Sequence, residues 1–504
     1  MITNRGLLTV LQRNTALSTR LQTTVGAQEV EQRDVPLKPF EDIPYPKGLP
    51  FVKNMFTFML NIKTAHHFHT KLRKELGDIY RLRLPGVGND LVFISNPEDS
   101  RTLYSKDGEY PFLPGFEVFG KMRLEGLPHL YPDSPGLLTQ GESWSKVRRA
   151  VQQDMMRPKS ALYYVDELNE TAQELCDKLA ADLDDNLETV KLNYTLQKFA
   201  VDATGLMFIG SHLGVIKGNP DGTKLMAAVS GFLARFQTVA FVPEKVLKLT
   251  GIYKEVCDNM ETMYNICNKK INVAIEKHKT DGSLKGTVLW KLLERCGAES
   301  PIPTIMAVDS LSAGIDTTAH TATFLLYHLA INPEKQEILF NEIDRVLGKN
   351  GNMTEAKLEE MKYLKACMQE SQRIWPVAIG TSRKTQTNMV LSGYHIPADT
   401  VVIRNGILSS NDDKFYPNAD KFLPERWIRG CPQHQKVDPY ANLPFGHGPR
   451  ACIGQRFARL ELYMVAFKII QQYRLEYHHE PIDVDFTGIG HPDREVVLKM
   501  IKRT

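Results

Sequence analysis

Residues 444–454 read Pro-Phe-Gly-His-Gly-Pro-Arg-Ala-Cys-Ile-Gly, and this run decides the fold of the chain. The glycines on both sides of Cys452 allow tight turns and let the backbone approach a flat ligand closely. An apolar, helix-like run at 457–470 follows. Backbone N–H groups at the start of that helix would point at the sulfur and favour its thiolate form. The run therefore predicts a metal-binding cysteine loop.

Cys452 differs in context from the other cysteines. The chain has seven cysteines, an odd number without CxxC spacing, which indicates free thiols in a reducing compartment. A lone cysteine in a glycine-rich turn is usually a buried structural residue, and we interpret Cys367 and Cys431 in that way. The order Phe-x-x-Gly-x-Arg-x-Cys-x-Gly is far more specific. Phe445 can keep water from the sulfur, and the planar guanidinium of Arg450 suits a carboxylate such as a haem propionate.

The composition is that of a globular enzyme. The chain is 504 residues long, 42% hydrophobic and 24% charged, with a formal net charge of +3. This balance gives no reason to expect nucleic acid as a partner. No stretch reaches the roughly 18 consecutive apolar residues that a membrane-spanning helix needs. We therefore expect no spanning anchor.

The first thirty residues differ from the rest of the chain. They carry Arg5, Arg13 and Arg20 and several Ser and Thr, and the first acidic residue is Glu29. On a helix, the three arginines fall within about a quarter-turn of one another, with apolar side chains mostly opposite. Such a start is typical of a mitochondrial presequence, and a disordered basic tail is the alternative. We expect residues 1–30 to be the presequence.

Residues 31–504 are expected to form one mainly α domain with small β-sheets, because no repeat or linker divides them. The prolines between 36 and 50 predict an extended lead-in. Strand-like runs at 79–84 and 91–95, joined by a glycine-containing turn, predict a hairpin. Strand signals return between 389 and 403, and the tail from residue 480 onward indicates irregular β structure.

A long helical region lies between these strand segments. Residues 144–350 show mostly helical patterning, with breaks near 218–220 and 282. Within this region, residues 304–331 are apolar on most sides and stop at Asn332-Pro333. A helix that is hydrophobic nearly all round belongs in the interior. We therefore expect this segment to run through the middle of the molecule.

The central segment carries the motif Ala-Gly-Ile-Asp-Thr-Thr at 313–318. Gly314 lacks bulk where a small ligand would sit. The hydroxyl of a mid-helix threonine such as Thr317 can bond the carbonyl one turn earlier, which opens the helix locally. Asp316 and Thr317 then place an acid and an alcohol where protons can be delivered. Capping by Asp316 and simple packing by Thr317 are the alternatives.

Basic residues elsewhere suit the same ligand. Trp144 and Arg148 are four residues apart and share one helix face.

Glu370 and Arg373 also face one another on a helix, and Arg426 offers a further partner. A buried pair of this kind needs additional hydrogen bonds to be tolerated, and an exposed pair is worth little.

Together, these separated motifs resemble the cytochrome P450 family over residues 36–504. The resemblance implies a haem b cofactor between the long central helix and the cysteine loop, with the Cys452 thiolate as the axial iron ligand and Asp316 and Thr317 as the acid–alcohol pair of oxygen activation. It also implies contacts to the haem or its propionates from Trp144, Arg148, Arg383, Phe445 and Arg450. Finally, it implies that Glu370, Arg373 and Arg426 form a structural network behind the haem and are not catalytic.

Within the family, the chain is most similar to the mitochondrial, ferredoxin-dependent class of invertebrates. That class implies electrons from NADPH through ferredoxin reductase and a small acidic ferredoxin, on the matrix side and compatible with peripheral association with the inner membrane. Lys365 matches one of two docking lysines, whereas Gln369 departs from the second. Gln455 stands where an arginine is common, and Lys362 and Arg459 offer alternative positive charges.

The resulting hypothesis is a monooxygenase that inserts one oxygen atom from O2 into a lipophilic substrate. The pattern leaves sterols, ecdysteroids, other lipids and xenobiotics open as substrates. A thiolate-haem isomerase or synthase acting on a peroxide is one alternative, and a non-catalytic haem sensor or carrier is another. Neither alternative needs the acid–alcohol pair at Asp316 and Thr317.

Overall fold

The computed structural model describes residues 36–49, 53–84, 90–132 and 134–503. The expected presequence at 1–30 and the expected hairpin turn at 86–89 lie outside the described residues. Everything below concerns the described part of the chain.

Helices dominate this part of the chain. The α-helices are α1 Met55–Leu60, α2 Ala65–Leu76, α3 Pro97–Ser105, α4 Glu117–Lys121, α5 Gly141–Met155, α6 Val165–Ala181, α7 Leu192–Ile209, α8 Pro220–Ala234, α9 Phe236–Phe241, α10 Glu244–Leu249, α11 Ile252–Asp281, α12 Val288–Cys296, α13 Ile302–Ala330, α14 Pro333–Leu347, α15 Glu355–Glu360, α16 Lys362–Ile374, α17 Gly406–Ser410 and α18 Gln455–Gln472.

The strands form small sheets. They are β1 Ile79–Leu82, β2 Leu91–Ile94, β3 Gly380–Lys384, β4 Met389–Leu391, β5 Tyr394–Ile396, β6 Val401–Asn405, β7 Tyr473–Glu476, β8 Val484–Asp485, β9 His491–Pro492 and β10 Lys499–Lys502. The largest sheet has the order β1-β2-β6-β3, in which β2 and β6 run parallel. The antiparallel pairing of β1 with β2 confirms the expected hairpin strands, and the mainly α architecture with small sheets is confirmed as well.

Helix α13 is the central helix, as its apolar pattern predicts. Of its 29 residues, 23 are buried, and it packs against α7, α11, α16 and α18. Four of the six residues that are not buried lie together, between positions 313 and 317. The burial pattern therefore shows one local opening in an otherwise enclosed helix, at the motif that the sequence singles out.

Local sequence signals account for the helix boundaries. Helix α8 begins at Pro220, and the side chain of Asn219 caps it by accepting hydrogen bonds from the N–H groups of Asp221 and Gly222. Helix α11 ends before Gly282, whose φ of 67° is left-handed, a conformation that glycine adopts without steric cost. In the described residues, no helix is both long and apolar enough to cross a membrane.

Candidate haem-binding active site

The cysteine loop and α13 both line one cavity of about 290 Å³. The loop contributes Cys452, Ile453 and Gly454. The helix contributes Ala313 and Thr317, among others. Most of the remaining lining is apolar and comes from α5, α7 and α18, with Trp144, Arg148 and Arg450 among the polar and aromatic contributors. The structure thus brings the two most informative sequence motifs to one cavity.

The backbone of the cysteine loop is held in a fixed turn. The N–H of Cys452 donates to the carbonyl oxygen of Phe445 at 2.8 Å. Gly446 and Gly448 have φ values of 71° and 74°, which lie in the left-handed region that favours glycine. The ring of Phe445 packs 4.9 Å from the guanidinium of Arg459 on α18. These contacts present the Cys452 side chain to the cavity.

The protein environment acts on the Cys452 thiol in two directions. Burial raises the pKa of the Cys452 thiol, and this effect exceeds the opposing effects of the N–H groups of Gly454 and Gln455 and of the charges of Arg148 and Arg459. The predicted N–H groups are therefore present and favour the thiolate against the effect of burial. A bound metal ion deprotonates a coordinating thiol outright.

Arg450 is fixed at the edge of the cavity. Its guanidinium carbon lies 3.7 Å from the ring centroid of Trp144. Its Nε donates to the carbonyl oxygen of Pro111 at 2.9 Å, and Nη2 donates to Oε1 of Gln140 at 2.8 Å. Nη1 and Nη2 also donate to the carbonyl oxygen of Thr139, which leaves one N–H of Nη1 for an anion in the cavity.

The two other predicted arginines take different positions. Arg148 lines the cavity, and its Nε donates to Oε1 of Gln152 at 3.3 Å. Arg383 lies behind Arg450, where its Nε is 2.8 Å and 3.0 Å from the two carboxylate oxygens of Asp107. The structure therefore pairs Arg383 with a protein carboxylate instead of aiming it freely into the cavity.

The motif on α13 adopts the predicted local geometry. The hydroxyl of Thr317 donates to the carbonyl oxygen of Ala313 at 2.6 Å. Oδ1 of Asp316 accepts a hydrogen bond of 2.8 Å from Nε2 of Gln197 on α7. Burial raises the pKa of Asp316, against smaller opposing effects of Gln197 and His491. A carboxyl group with a raised pKa is better able to carry a proton near neutral pH.

A second cavity of about 380 Å³ adjoins the first. The two share Phe116, Leu138, Asp309, Ala313 and Thr317 as lining residues. Its apolar wall comes chiefly from α8, α9, Phe116 and Leu138, and its polar side includes Asp316, His320 and His491. The central helix α13 and residues 487–489 complete the lining.

Comparison with known proteins settles the family. The sequence profile of the cytochrome P450 family matches residues 43–500. The chain belongs to the cytochrome P450 family. This P450 is 30% identical to "Probable cytochrome P450 12a5, mitochondrial" of Drosophila melanogaster over 95% of both chains.

Two further relatives give the same result. "Cytochrome P450 CYP12A2" of Musca domestica is 29% identical over 93% of this chain and 91% of its own. "Probable cytochrome P450 301a1, mitochondrial" of Drosophila melanogaster is 28% identical over 92% of this chain and 87% of its own. The P450 assignment makes the protein a haem-thiolate monooxygenase with haem iron held by an axial cysteine.

The residues around the first cavity fit a haem. Arg148, Arg383 and Arg450 lie close together with one carboxylate, Asp107, among them. The pKa of Arg450 is lowered, first by burial and then by the charges of Arg383 and Arg148. The effect of the two neighbouring charges indicates uncompensated positive charge at the cavity edge. Two propionate carboxylates would neutralise that charge, and Cys452 is the cysteine among the residues that line this cavity.

The sequence analysis of this P450 did not single out Asp309 and His320, two polar residues of α13 that line the cavities. Asp309 lines both cavities. It forms a buried ion pair of 2.6 Å with Arg123, the two side chains being 4% and 0% exposed. His320 lines the second cavity. The spacing of 309, 313, 316 and 320 places all four positions on one helix face, and this signal was available from the sequence.

Two further contacts connect α13 with its neighbours. Oε2 of Glu461 on α18 accepts a hydrogen bond of 3.2 Å from the hydroxyl of Thr318, and burial raises the pKa of Glu461 to about 8. A Cβ at position 314 would lie 3.1 Å from Oγ1 of Thr204 on α7. Gly314 therefore also permits close packing of α13 against α7.

The predicted structural network is present. Both carboxylate oxygens of Glu370 accept hydrogen bonds of 2.9 Å from Arg373. Oε1 also accepts from Nε of Arg426 at 3.0 Å, and Oε2 accepts from Nε1 of Trp427 at 2.8 Å. All three charged side chains are at most 1% exposed, so the network holds α16 to the segment that precedes the cysteine loop.

Proposed function

We propose that Cys452 is the axial haem ligand of a monooxygenase that inserts one oxygen atom from O2 into a lipophilic substrate. The observation that carries the proposal is the shared cavity wall. Thr317 and Ala313 line both the cavity that Cys452 faces and the adjoining apolar cavity. A substrate in the second cavity would therefore lie next to a cofactor in the first. When bound, the haem supplies oxygen activation.

The substrate is proposed to be a sterol or ecdysteroid or a xenobiotic of similar character. Phe116, Phe232, Phe236 and Leu138 line the second cavity. The ring of Phe119 lies against the same cluster, 4.6 Å from the ring of Phe236. Aromatic and aliphatic walls with a few polar groups are typical of small-molecule sites of roughly 300–1,000 Å³.

Asp316 and Thr317 are proposed to deliver protons at the cofactor. The raised pKa of Asp316 lets its carboxyl group carry a proton, and Gln197 holds one of its oxygens in place. The Thr317 hydroxyl, bonded to the Ala313 carbonyl, is positioned at the cavity wall. A peroxide isomerase has less use for such a proton-delivering pair and a haem sensor does not need one, so its presence favours the monooxygenase over both.

The proposed electron donor is a small acidic ferredoxin. Lys362 and Gln369 are exposed on α16 and Lys365 is half-buried there, and α16 packs against α18, which follows the cysteine loop. Positive charge on this face steers an acidic partner towards the haem side of the molecule. We accordingly place the enzyme in the mitochondrion, on the matrix side, with residues 1–30 as the presequence. Relatives that bear the word mitochondrial in their names support this location.

The test of the proposal combines reconstitution with ligand screening. Haem-loaded protein spanning 31–504 should turn over with NADPH, ferredoxin reductase and ferredoxin. Equal activity with a microsomal reductase alone would contradict the assigned donor. A difference-spectrum screen over sterols, other lipids and insecticide-like compounds should show binding of apolar molecules, whereas binding confined to peroxides would favour the isomerase.

A further inference from the structure

Three side chains outside the haem cavity converge on one point. Nε2 of His66 lies 2.9 Å from Oδ1 of Asp483, and Nε2 of His67 lies 2.8 Å from Oδ2 of the same carboxylate. The centroids of the two imidazole rings are 3.9 Å apart. Among the described residues, this is the one group of three or more His, Cys, Asp or Glu side chains whose ligand atoms all lie within 4.8 Å of one another.

Convergence of neighbouring helical residues is unusual. His66 and His67 are adjacent on α2, where successive side chains point about 100° apart. The adjacent pair His478 and His479, which lies outside any helix, contacts two different carboxylates, Glu476 at 2.9 Å and Glu188 at 3.1 Å. At residues 66 and 67, both rings instead turn towards one carboxylate.

The donor set matches a borderline-soft divalent cation. Two imidazole nitrogens and one carboxylate oxygen are the protein ligands of open zinc sites, in which water or another group completes the tetrahedron. Mg²⁺ and Ca²⁺ prefer oxygen ligands, and this set does not suit them.

The space and the access also suit an ion. Ligand atoms of one tetrahedral zinc ion lie roughly 3.3 Å apart. The two His–Asp483 contacts of 2.8–2.9 Å are shorter than this, and all the ligand atoms lie within 4.8 Å of one another, so small side-chain shifts would admit an ion. The side chains of His67 and Asp483 are 65% and 40% exposed, whereas His66 is 12% exposed. An ion can therefore enter from solvent beside a ligand that is already fixed.

Asp483 anchors the hairpin that borders the second cavity. Its N–H donates to Oδ1 of Asp493 at 2.9 Å, and the N–H of Asp493 donates to the Asp483 carbonyl oxygen at 2.9 Å. These bonds close the base of the segment that contains β8 and β9. Within that segment, residues 487–489 and His491 line the second cavity.

We propose that His66, His67 and Asp483 form a binding site for one zinc-class divalent cation, which fastens α2 to the β8–β9 hairpin. The site is built from residues outside the haem cavity and does not rest on the proposed substrate or electron donor. Because the hairpin lines the second cavity, metal binding reduces the mobility of one cavity wall.

Calorimetric titration of ZnCl2 into tag-free, haem-loaded protein tests the site. The expected result is one zinc ion bound per chain, with MgCl2 giving no binding. In His67→Ala and Asp483→Asn, zinc affinity should fall by about tenfold or more, as loss of a ligand predicts. His67→Gln guards against misfolding, since it keeps side-chain bulk at an exposed position, and the double variant His478→Ala, His479→Ala is the matched control.

Equal zinc affinity in the wild type and the site variants would overturn the proposal. Absence of zinc binding in the wild type would also overturn it, and His66 and His67 would then be only hydrogen-bonding partners of Asp483. Loss of binding in the His478, His479 control would assign the ion elsewhere. Hydrogen exchange gives an independent readout. Addition of zinc should slow the exchange of the backbone amides of residues 484–492 in the wild type. In His67→Ala, zinc should leave their exchange rates unchanged.

Discussion

The Thr317 hydroxyl donates a hydrogen bond of 2.6 Å to the carbonyl oxygen of Ala313, one turn earlier on α13. Both residues line both cavities. A side-chain hydroxyl that bonds a helix carbonyl competes with the backbone N–H that normally uses it. The hydroxyl is thereby held at the place where the proposed cofactor and substrate meet.

Removal of that hydroxyl should uncouple electron consumption from product formation. Thr317→Ala is expected to keep haem content and substrate affinity, while product formed per NADPH consumed falls by roughly an order of magnitude, as loss of a proton-transfer group predicts. Thr317→Ser, which keeps a hydroxyl, should retain most of the coupling. Equal coupling in the alanine variant and the wild type would show that Thr317 only packs.

Arg450 should be needed for haem retention. Its guanidinium stacks 3.7 Å from the Trp144 ring centroid and contributes to uncompensated positive charge at the cavity edge. Arg450→Ala is expected to lower the haem-to-protein ratio after gel filtration. The haem content of Arg450→Lys should lie between those of the wild type and Arg450→Ala, because lysine keeps the charge and loses the planar stack. Undiminished haem content in Arg450→Ala would contradict the assigned contact.

Glu461 should make stability depend on pH. Burial raises the pKa of Glu461 to about 8, compared with about 4.3 for a free glutamate. At pH values between these two pKa values, the folded state binds more protons than the unfolded state. The contribution of protonated Glu461 to the free energy of unfolding is therefore complete below the lower pKa and is lost as pH rises through the upper pKa. The loss is at most about 1.4 kcal/mol per pH unit. Thermal unfolding of wild type and Glu461→Gln at several pH values measures this loss.

The glutamine variant cannot ionise and still accepts a hydrogen bond from Thr318. Glu461→Gln should therefore unfold at the same temperature as the wild type near about pH 5 and at a higher temperature above about pH 8. Parallel curves for the two proteins over this range would mean that Glu461 is already charged in the folded state.

Glu370 should be a large contributor to folding. Glu370→Ala leaves the buried guanidinium groups of Arg373 and Arg426 without their carboxylate, a change that costs about 3–5 kcal/mol. Asp182→Ala is the control, because the exposed pair that Asp182 forms with Lys178 is worth about 1 kcal/mol or less. Equal unfolding midpoints for the two variants in urea would contradict a structural role for Glu370.

The sequence alone was sufficient for features encoded within short segments. The cysteine loop, the bond from Thr317 to Ala313 and the course of α13 each depend on residues close together in the chain. The partners of these motifs could not be predicted, because they are set by helix packing. Gln197 lies 119 positions before Asp316, and nothing in either segment indicates the other.

The net electrostatic effect of the surroundings on a charged group is also set by packing between distant segments. Backbone N–H groups at the start of α18 oppose the rise in the pKa of Cys452, whereas the larger effect of burial is set by the packing around the loop. Likewise, the sequence identified Arg383 as a cation near the cavity and gave no sign of Asp107, its partner at 2.8 Å. Net effects on charged groups require the three-dimensional arrangement.

The central claim is that Cys452 holds the haem iron. The carbon monoxide difference spectrum of reduced, haem-loaded protein tests it directly, in the wild type, in Cys452→Ser and in Cys431→Ser as a matched cysteine control. The expected result is a thiolate-type spectrum in the wild type and in Cys431→Ser and its loss in Cys452→Ser. A thiolate-type spectrum that persists in Cys452→Ser would contradict the assignment.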